Sequence, residues 1–196
     1  DRKVRESAHA WSPDRQWEAW IEMAQEPHPA PSTWNPDAYP KEGMPLDRAR
    51  LLVRRRGGPA IGAANLGPGS RFDPRSLYCH AADAVAWSLD SRAIALDYTV
   101  RPCESDATSW RYVVVVTLAG GVRVMAAADL AAACTAGGVR LEPRDGEYEP
   151  FVAGFTSDGR LRIRFEAFDA EDSPPRVRRC RVRASAVREA PRLDGE

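Results

Sequence analysis

Trp87-Ser88-Leu89-Asp90-Ser91-Arg92-Ala93-Ile94-Ala95-Leu96 decides how the chain is read. An aromatic residue closes one apolar run, an aspartate follows three positions later, and an alternating segment starts after two more residues. An aspartate in a tight turn caps backbone N–H groups, so the pattern reads as a hairpin between two strands. It occurs again at Trp11-Ser12-Pro13-Asp14, followed by Arg15-Gln16 and the segment Trp17-Glu18-Ala19-Trp20-Ile21. A third copy is Phe155-Thr156-Ser157-Asp158-Gly159-Arg160, leading into Leu161-Arg162-Ile163-Arg164-Phe165, and its Asp-Gly pair is the strongest hairpin signal of the set. The three aspartates stand 76 and 68 residues apart, which is an internal repeat of β units. Turns are expected at Asp14–Gln16, Asp90–Arg92 and Asp158–Gly159, with Trp11, Trp87 and Phe155 largely buried.

Working outward, each hairpin is followed by an insert and more strand-like sequence. Six of the 19 residues from Pro27 to Pro45 are proline, which argues against regular structure there. Arg48 to Arg55 reads as a strand centred on Leu51, Leu52 and Val53. Pro102 to Ser109 reads as a loop. Tyr112 to Leu118 is the apolar, β-branched run of a strand buried on both faces. Gly120-Gly121 turns it back into Val122-Arg123-Val124-Met125. Ala128 to Ala136 is alanine-rich, carries Asp129 near its start and ends at Gly137-Gly138, which predicts one short helix with Leu130 and Cys134 on one face. Ala170 to Pro175 reads as a loop. Val177 to Val187 reads as a strand, with Cys180, Val182, Ala184 and Ala186 inward and Arg179, Arg181 and Arg183 outward. The expected fold class is all-β, with antiparallel sheets in a propeller-like or sandwich arrangement and one short helix near 128–136. A single domain, 1–187, holds three units at about 5–66, 77–142 and 150–187, and 188–196 is a polar tail.

The aromatic-Ser-Pro-Asp pattern and the alternating strand after it resemble the repeat of TolB-like and WD-type β-propellers. It is clearest at Trp11-Ser12-Pro13-Asp14, good at Trp87-Ser88-Leu89-Asp90 and degenerate at Phe155-Thr156-Ser157-Asp158-Gly159. The resemblance implies sheets packed like blades, with each aromatic between neighbouring sheets. The spacing departs from the repeats of about 40 residues found in such arrays, and three blades are fewer than the 4–8 that close a ring. The alternatives are an open array, a ring completed by two chains, or a sandwich with propeller-like hairpins.

Acidic and basic residues balance at 28 each, which argues against a generic nucleic-acid or membrane-surface binder. No apolar run approaches the ~18–20 residues of a membrane-spanning helix. Only Lys3 and Lys41 are lysines; the other 26 basic residues are arginines, as in a GC-rich, bacterial-looking coding bias. The chain begins at Asp1 with no charged segment leading into an apolar one, so an uncleaved signal peptide is not expected. A cytoplasmic location is slightly favoured; export stays open because the chain lacks an initiator Met and has four cysteines. Cys79, Cys103, Cys134 and Cys180 form no Cys-x-x-Cys pair, so a zinc knuckle is not expected. Two disulfides are allowed, but a chain this long does not need staples, which favours separate thiols.

No nucleophile elbow, phosphate loop, dinucleotide fingerprint or zincin helix is present. His9, His28 and His80 lack ligand spacing, and Cys79 and His80 point to opposite faces of a strand, so neither metal, cofactor nor catalytic residues are expected. Asp97 with Glu104, or Glu166 with Asp169, could form a carboxylate pair. Two surfaces stand out. Arg160, Arg162 and Arg164 alternate on one strand, as do Arg179, Arg181 and Arg183 on another; paired strands would make a guanidinium ladder, partly neutralised by Glu166, Asp169 and Glu171, that suits phosphate, nucleic acid or an acidic protein, the last preferred because no stacking aromatics flank the arginines. Arg162 and Arg181 should then share a face of adjacent antiparallel strands. The other surface is the Pro-rich insert, where Trp34, Asp37 and Tyr39 offer interface-type side chains. Exchanging Ala30–Tyr39 for a Gly-Ser linker is expected to spare the fold and abolish partner binding.

The expected function is a non-enzymatic protein-binding module, an inhibitor or immunity-type partner of another protein. The alternatives are a hydrolase with a dispersed site and a structural subunit of a larger assembly. The expected partner is a protein rather than nucleic acid or membrane, and a homodimer is allowed.

Overall fold

The first part of the chain builds one sheet from β1 (Val4–Glu6), β2 (Ala10–Trp11), β3 (Trp17–Pro27), β4 (Pro45–Arg55) and β5 (Ala60–Asn65). A second, middle sheet runs β6 (Tyr78–Trp87), β7 (Ala93–Pro102), β8 (Trp110–Thr117) and β9 (Val122–Ala126) in chain order. The helix α1 (Ala127–Ala136) follows, and a third sheet consists of β10 (Glu149–Phe155), β11 (Leu161–Ala167) and β12 (Arg176–Val182). All pairings are antiparallel. This is a computed structural model describing residues 4–27, 45–65, 78–102, 110–139, 141, 149–167 and 176–188. The protein is all-β with one short helix, as the sequence led one to expect. No helix among the described residues is long and apolar enough to cross a membrane.

The middle sheet is the centre of the molecule. Ile94, Leu96, Tyr98, Val100, Val114 and Val116 point to one side and pack with Ile21, Leu51 and Val53 of the first sheet. Ala95, Val113, Val115 and Met125 point to the other and pack with Leu130 of α1 and Leu161, Ile163 and Phe165 of the third sheet. Each strand sends alternate side chains to opposite faces, so a sheet covered on both sides needs an unbroken apolar run. That is why Tyr112 to Val116 are all buried.

The three hairpins share one local geometry. In each, a hydroxyl side chain hydrogen-bonds the aspartate two residues on: Ser12 to Asp14 at 2.6 Å, Ser88 to Asp90 at 2.6 Å, and Thr156 to Asp158. The same hydroxyls accept the backbone N–H that opens the next segment, from Trp17, Ala93 and Arg160 at 2.9, 2.9 and 3.0 Å. These hydroxyl donors, with backbone N–H groups, hold all three carboxyls below the usual aspartate range. The residue after each aspartate has positive φ: Arg15 at 58°, Ser91 at 60° and Gly159 at 76°. Only the third copy uses glycine, the residue that adopts this conformation without strain.

The strand before each turn carries a bulge as well. The register shifts between Asp83 and Ala86 in β6 and between Val152 and Gly154 in β10. In the first sheet, the break between β1 and β2 places Glu6 opposite Glu22 and Ala10 opposite Ala19, again with one extra residue on the first strand.

Three expectations are corrected. Trp87 is buried at 8% exposure, but Trp11 is 43% exposed and Phe155 half-buried. The first sheet covers Trp87, whose Nε1 donates to the Ala10 carbonyl at 2.9 Å, whereas no sheet among the described residues precedes Trp11. The last strand stops at Val182 rather than reaching Val187: the chain turns through the 3-10 segment Ala184–Ala186 and buries Val187 in the core. Cys134 and Cys180 are not separate thiols but a disulfide joining α1 to β12, with Cα atoms 5.7 Å apart. The helix lies over the inward face of β12, so the two inward cysteines meet, whether or not a chain of this length needs a staple. Cys103 and the side chain of Cys79 lie outside the described residues.

Candidate functional site

The outward face of the third sheet is built by register. Seven residues of β11 pair with seven of β12 with no shift, which places Arg162 opposite Arg181 and Arg164 opposite Arg179. The sequence expectation that Arg162 and Arg181 share a face of adjacent antiparallel strands therefore holds, and the register adds that they are directly opposed. Directly opposed side chains have Cβ atoms about 4.5–5.5 Å apart, where like charges repel. Their partners differ. Arg164 meets Glu166 at 3.0 Å, and Arg160, in the turn, meets Asp158 at 2.8 Å. Arg162, Arg179 and Arg181 have no acidic partner among the described residues, and all three are exposed. Arg183, expected to extend the row, sits past the end of β12, also exposed.

Glycine shapes the position of Arg162. Gly154, at the β10 bulge with φ +110°, leaves room for that guanidinium: a Cβ there would stand 3.0 Å from an Arg162 terminal nitrogen. Beside it, Phe151 holds two further guanidiniums against its ring, Arg111 at 4.3 Å and Arg164 at 5.0 Å from the centroid. Arg111 also reaches Glu149 at 3.5 Å. The ladder thus continues from the third sheet onto β8 of the middle one.

Behind this seam lies Asp97, 4% exposed, whose carboxylate accepts the Val152 N–H at 2.6 Å and ties β7 to β10. Burial pushes its pKa up to about 7, with Asp83 directly across the strand raising it further; Val152 N–H, Arg111 and Arg164 pull the other way without prevailing. Sequence reasoning paired Asp97 with Glu104, which lies outside the described residues, as does Asp169. Phe151, Arg111 and Glu149 were not singled out by the sequence at all. The available signal was that Phe151 falls opposite Arg164 once the Asp-Gly turn fixes the β10–β11 register.

Trp34, Asp37 and Tyr39 lie outside the described residues. What the structure shows of that region is its frame: Pro27 pairs with Pro45, so the insert is the connection of a long β3–β4 hairpin. The turns of the first two sheets stand side by side, the Asp14 N–H donating to Ser91 Oγ at 3.1 Å. A cleft of about 480 Å³ opens there between Trp11, Pro13, Arg15 and Trp87. His9 stacks on Trp20 at 4.6 Å and bonds Glu18 at 2.8 Å, a structural use of that side chain. No family model matches the chain, and comparison with curated proteins gives no match either.

Proposed function

We propose that the protein is a non-enzymatic binding module that presents the arginine face of its third sheet to an acidic protein. The observation that carries this reading is the pairing of Arg162 with Arg181 and Arg164 with Arg179 on one face, where three of the four are exposed and lack an acid among the described residues. Stability alone disfavours opposed like charges in a sheet. A ligand that brings carboxylates turns each repulsive pair into charge-assisted hydrogen bonds, for which the planar guanidinium fork is suited. An acidic protein is preferred to nucleic acid because Phe151 is already engaged by Arg111 and Arg164 and offers no open stacking platform.

The three sheets, each opening with a bulged strand and a hydroxyl-aspartate turn, support a propeller-like organisation as part of the same proposal. Such a scaffold holds its loops rigidly, and the Pro-rich insert carrying Trp34, Asp37 and Tyr39 is proposed as a second contact.

The experiment is affinity capture from the native host with wild-type protein and with the double variant Arg162→Glu/Arg181→Glu. Association of the retrieved protein is then measured across ionic strength. The variant should associate roughly tenfold or more slowly at low salt, and with a flatter salt dependence. Equal association rates would remove this face from the interface.

A further inference from the structure

The first two sheets continue past their third strands: β4 is followed in the sheet by β5, and β8 by β9. The third sheet ends at β12, and among the described residues no strand lies on its outer side. Every residue of β12 pairs with β11 in unbroken register, with no bulge, proline or glycine to twist the edge away. Along that free edge, the backbone N–H and C=O groups that do not face β11 are therefore lined up for another strand.

We propose that the acidic partner docks by strand addition, an extended acidic segment completing the third sheet as its fourth strand on the outer edge of β12. The proposal rests on the binding reading above and specifies its geometry. Main-chain pairing would supply affinity, and side chains on alternate positions would supply selection.

The selection follows from the side chains of β12. Arg179 and Arg181 project from one face and Arg178 from the other, all exposed. Charged residues on an edge strand ordinarily block edge-to-edge association, and here they exclude a second copy of β12, which would set arginine against arginine. The same charges admit a strand with carboxylates at positions i and i+2, each beside Arg179 or Arg181. A nucleic acid could neutralise the arginines but has no strand backbone with which to fill the edge, which is why a polypeptide is the better fit.

The test uses the whole protein and short synthetic peptides that alternate threonine with glutamate. Three relatives serve as controls: one with lysine for glutamate, and two acidic isomers N-methylated on one or the other set of alternate amides. The acidic peptide should bind and slow amide exchange along β12 by roughly tenfold or more. The lysine peptide should not bind. One N-methyl isomer, whose blocked edge must face β12, should lose binding while the other keeps it. Arg179→Glu/Arg181→Glu should abolish binding of the acidic peptide. Equal binding by both N-methyl isomers, or unchanged exchange in β12, would overturn strand addition while leaving the acidic-protein reading intact. An oligonucleotide that outcompetes the acidic peptide for the arginine face would overturn both.

Discussion

The outward faces of the first and third sheets solve the same problem in opposite ways. On the first, register sets acid against base: Glu18 lies opposite Arg54 and Glu22 opposite Arg50. Arg50 Nε donates to Glu22 at 2.7 Å, and Glu18 takes both Arg54 and His9. On the third, the same kind of register sets Arg162 against Arg181 and Arg164 against Arg179. The first face satisfies its own charges. Among the described residues the third face holds surplus positive charge, although the chain as a whole is neutral. Net charge therefore says little about a protein's partners when opposite charges are matched on one surface and segregated on another.

The comparison can be broken most strongly at the seam behind the ladder. Burial raises the folded-state pKa of Asp97 above its ordinary 3.8, to about 7. Between those values the folded state keeps a proton that the unfolded chain has lost, so the contribution of this group to stability falls as pH rises through that window. Asp83, Arg111 and Arg164 are the charged groups that act on it, and Asn retains an acceptor for the Val152 N–H. Urea unfolding of Asp97→Asn at pH 8 should show about 2–4 kcal/mol more stability than wild type, shrinking toward pH 4. An equal shift at both pH values would contradict the assignment.

Glu18 should behave with the opposite sign. Hydrogen bonds from Arg54 and His9 hold its carboxyl below the usual range, so its contribution is present above the ordinary glutamate pKa and lost as pH falls below it. Glu18→Gln should cost about 1–3 kcal/mol at neutral pH, because Glu18 is only 6% exposed and glutamine keeps one acceptor oxygen but sets an amide NH2 where the other accepted. The cost should fade in acid; denaturant titrations at pH 7 and pH 3 check it.

Gly154→Ala probes the room beneath Arg162. Its φ of +110° and the 3.0 Å approach of the guanidinium predict a cost of about 1–2 kcal/mol by thermal unfolding. A neutral result would mean that the bulge relaxes and the glycine is not what seats Arg162. The smallest effect belongs to Arg181→Glu, which gives the third sheet the acid-base pairing of the first. It should stabilise by about 0.5–1 kcal/mol at low salt, and the gain should disappear at high salt. A loss of stability would show that the opposed arginines are not in repulsion.

How much of this was written in the sequence depends on range. The three turns were legible because hydroxyl and aspartate act within five residues of each other, and alternation alone put Arg162 and Arg181 on one face, though not in direct register. The helix was legible from its alanines and the Gly137-Gly138 stop. What was not legible depended on which sheet covers which. Trp11 and Trp87 occupy the same local pattern, yet among the described residues only Trp87 has a sheet laid over it. Asp97 looks like any polar residue in a strand until β10 closes over it. The strand break after Val182 carries no proline or glycine, and it follows from Val187 turning back into the core.

The bond between Cys134 and Cys180 spans 46 residues of sequence and leads from α1 directly to the last strand. In mechanical terms it is a shunt. Tension applied at the chain end beyond β12 passes through sulfur to α1 and so to the middle sheet, while β10 and β11 lie in a closed loop that carries no load. With the bond reduced, the same pull would peel β12 from β11 one residue at a time. Whatever grips the outer edge of β12 would therefore pull against the anchored centre of the molecule rather than against a strand that can be unzipped.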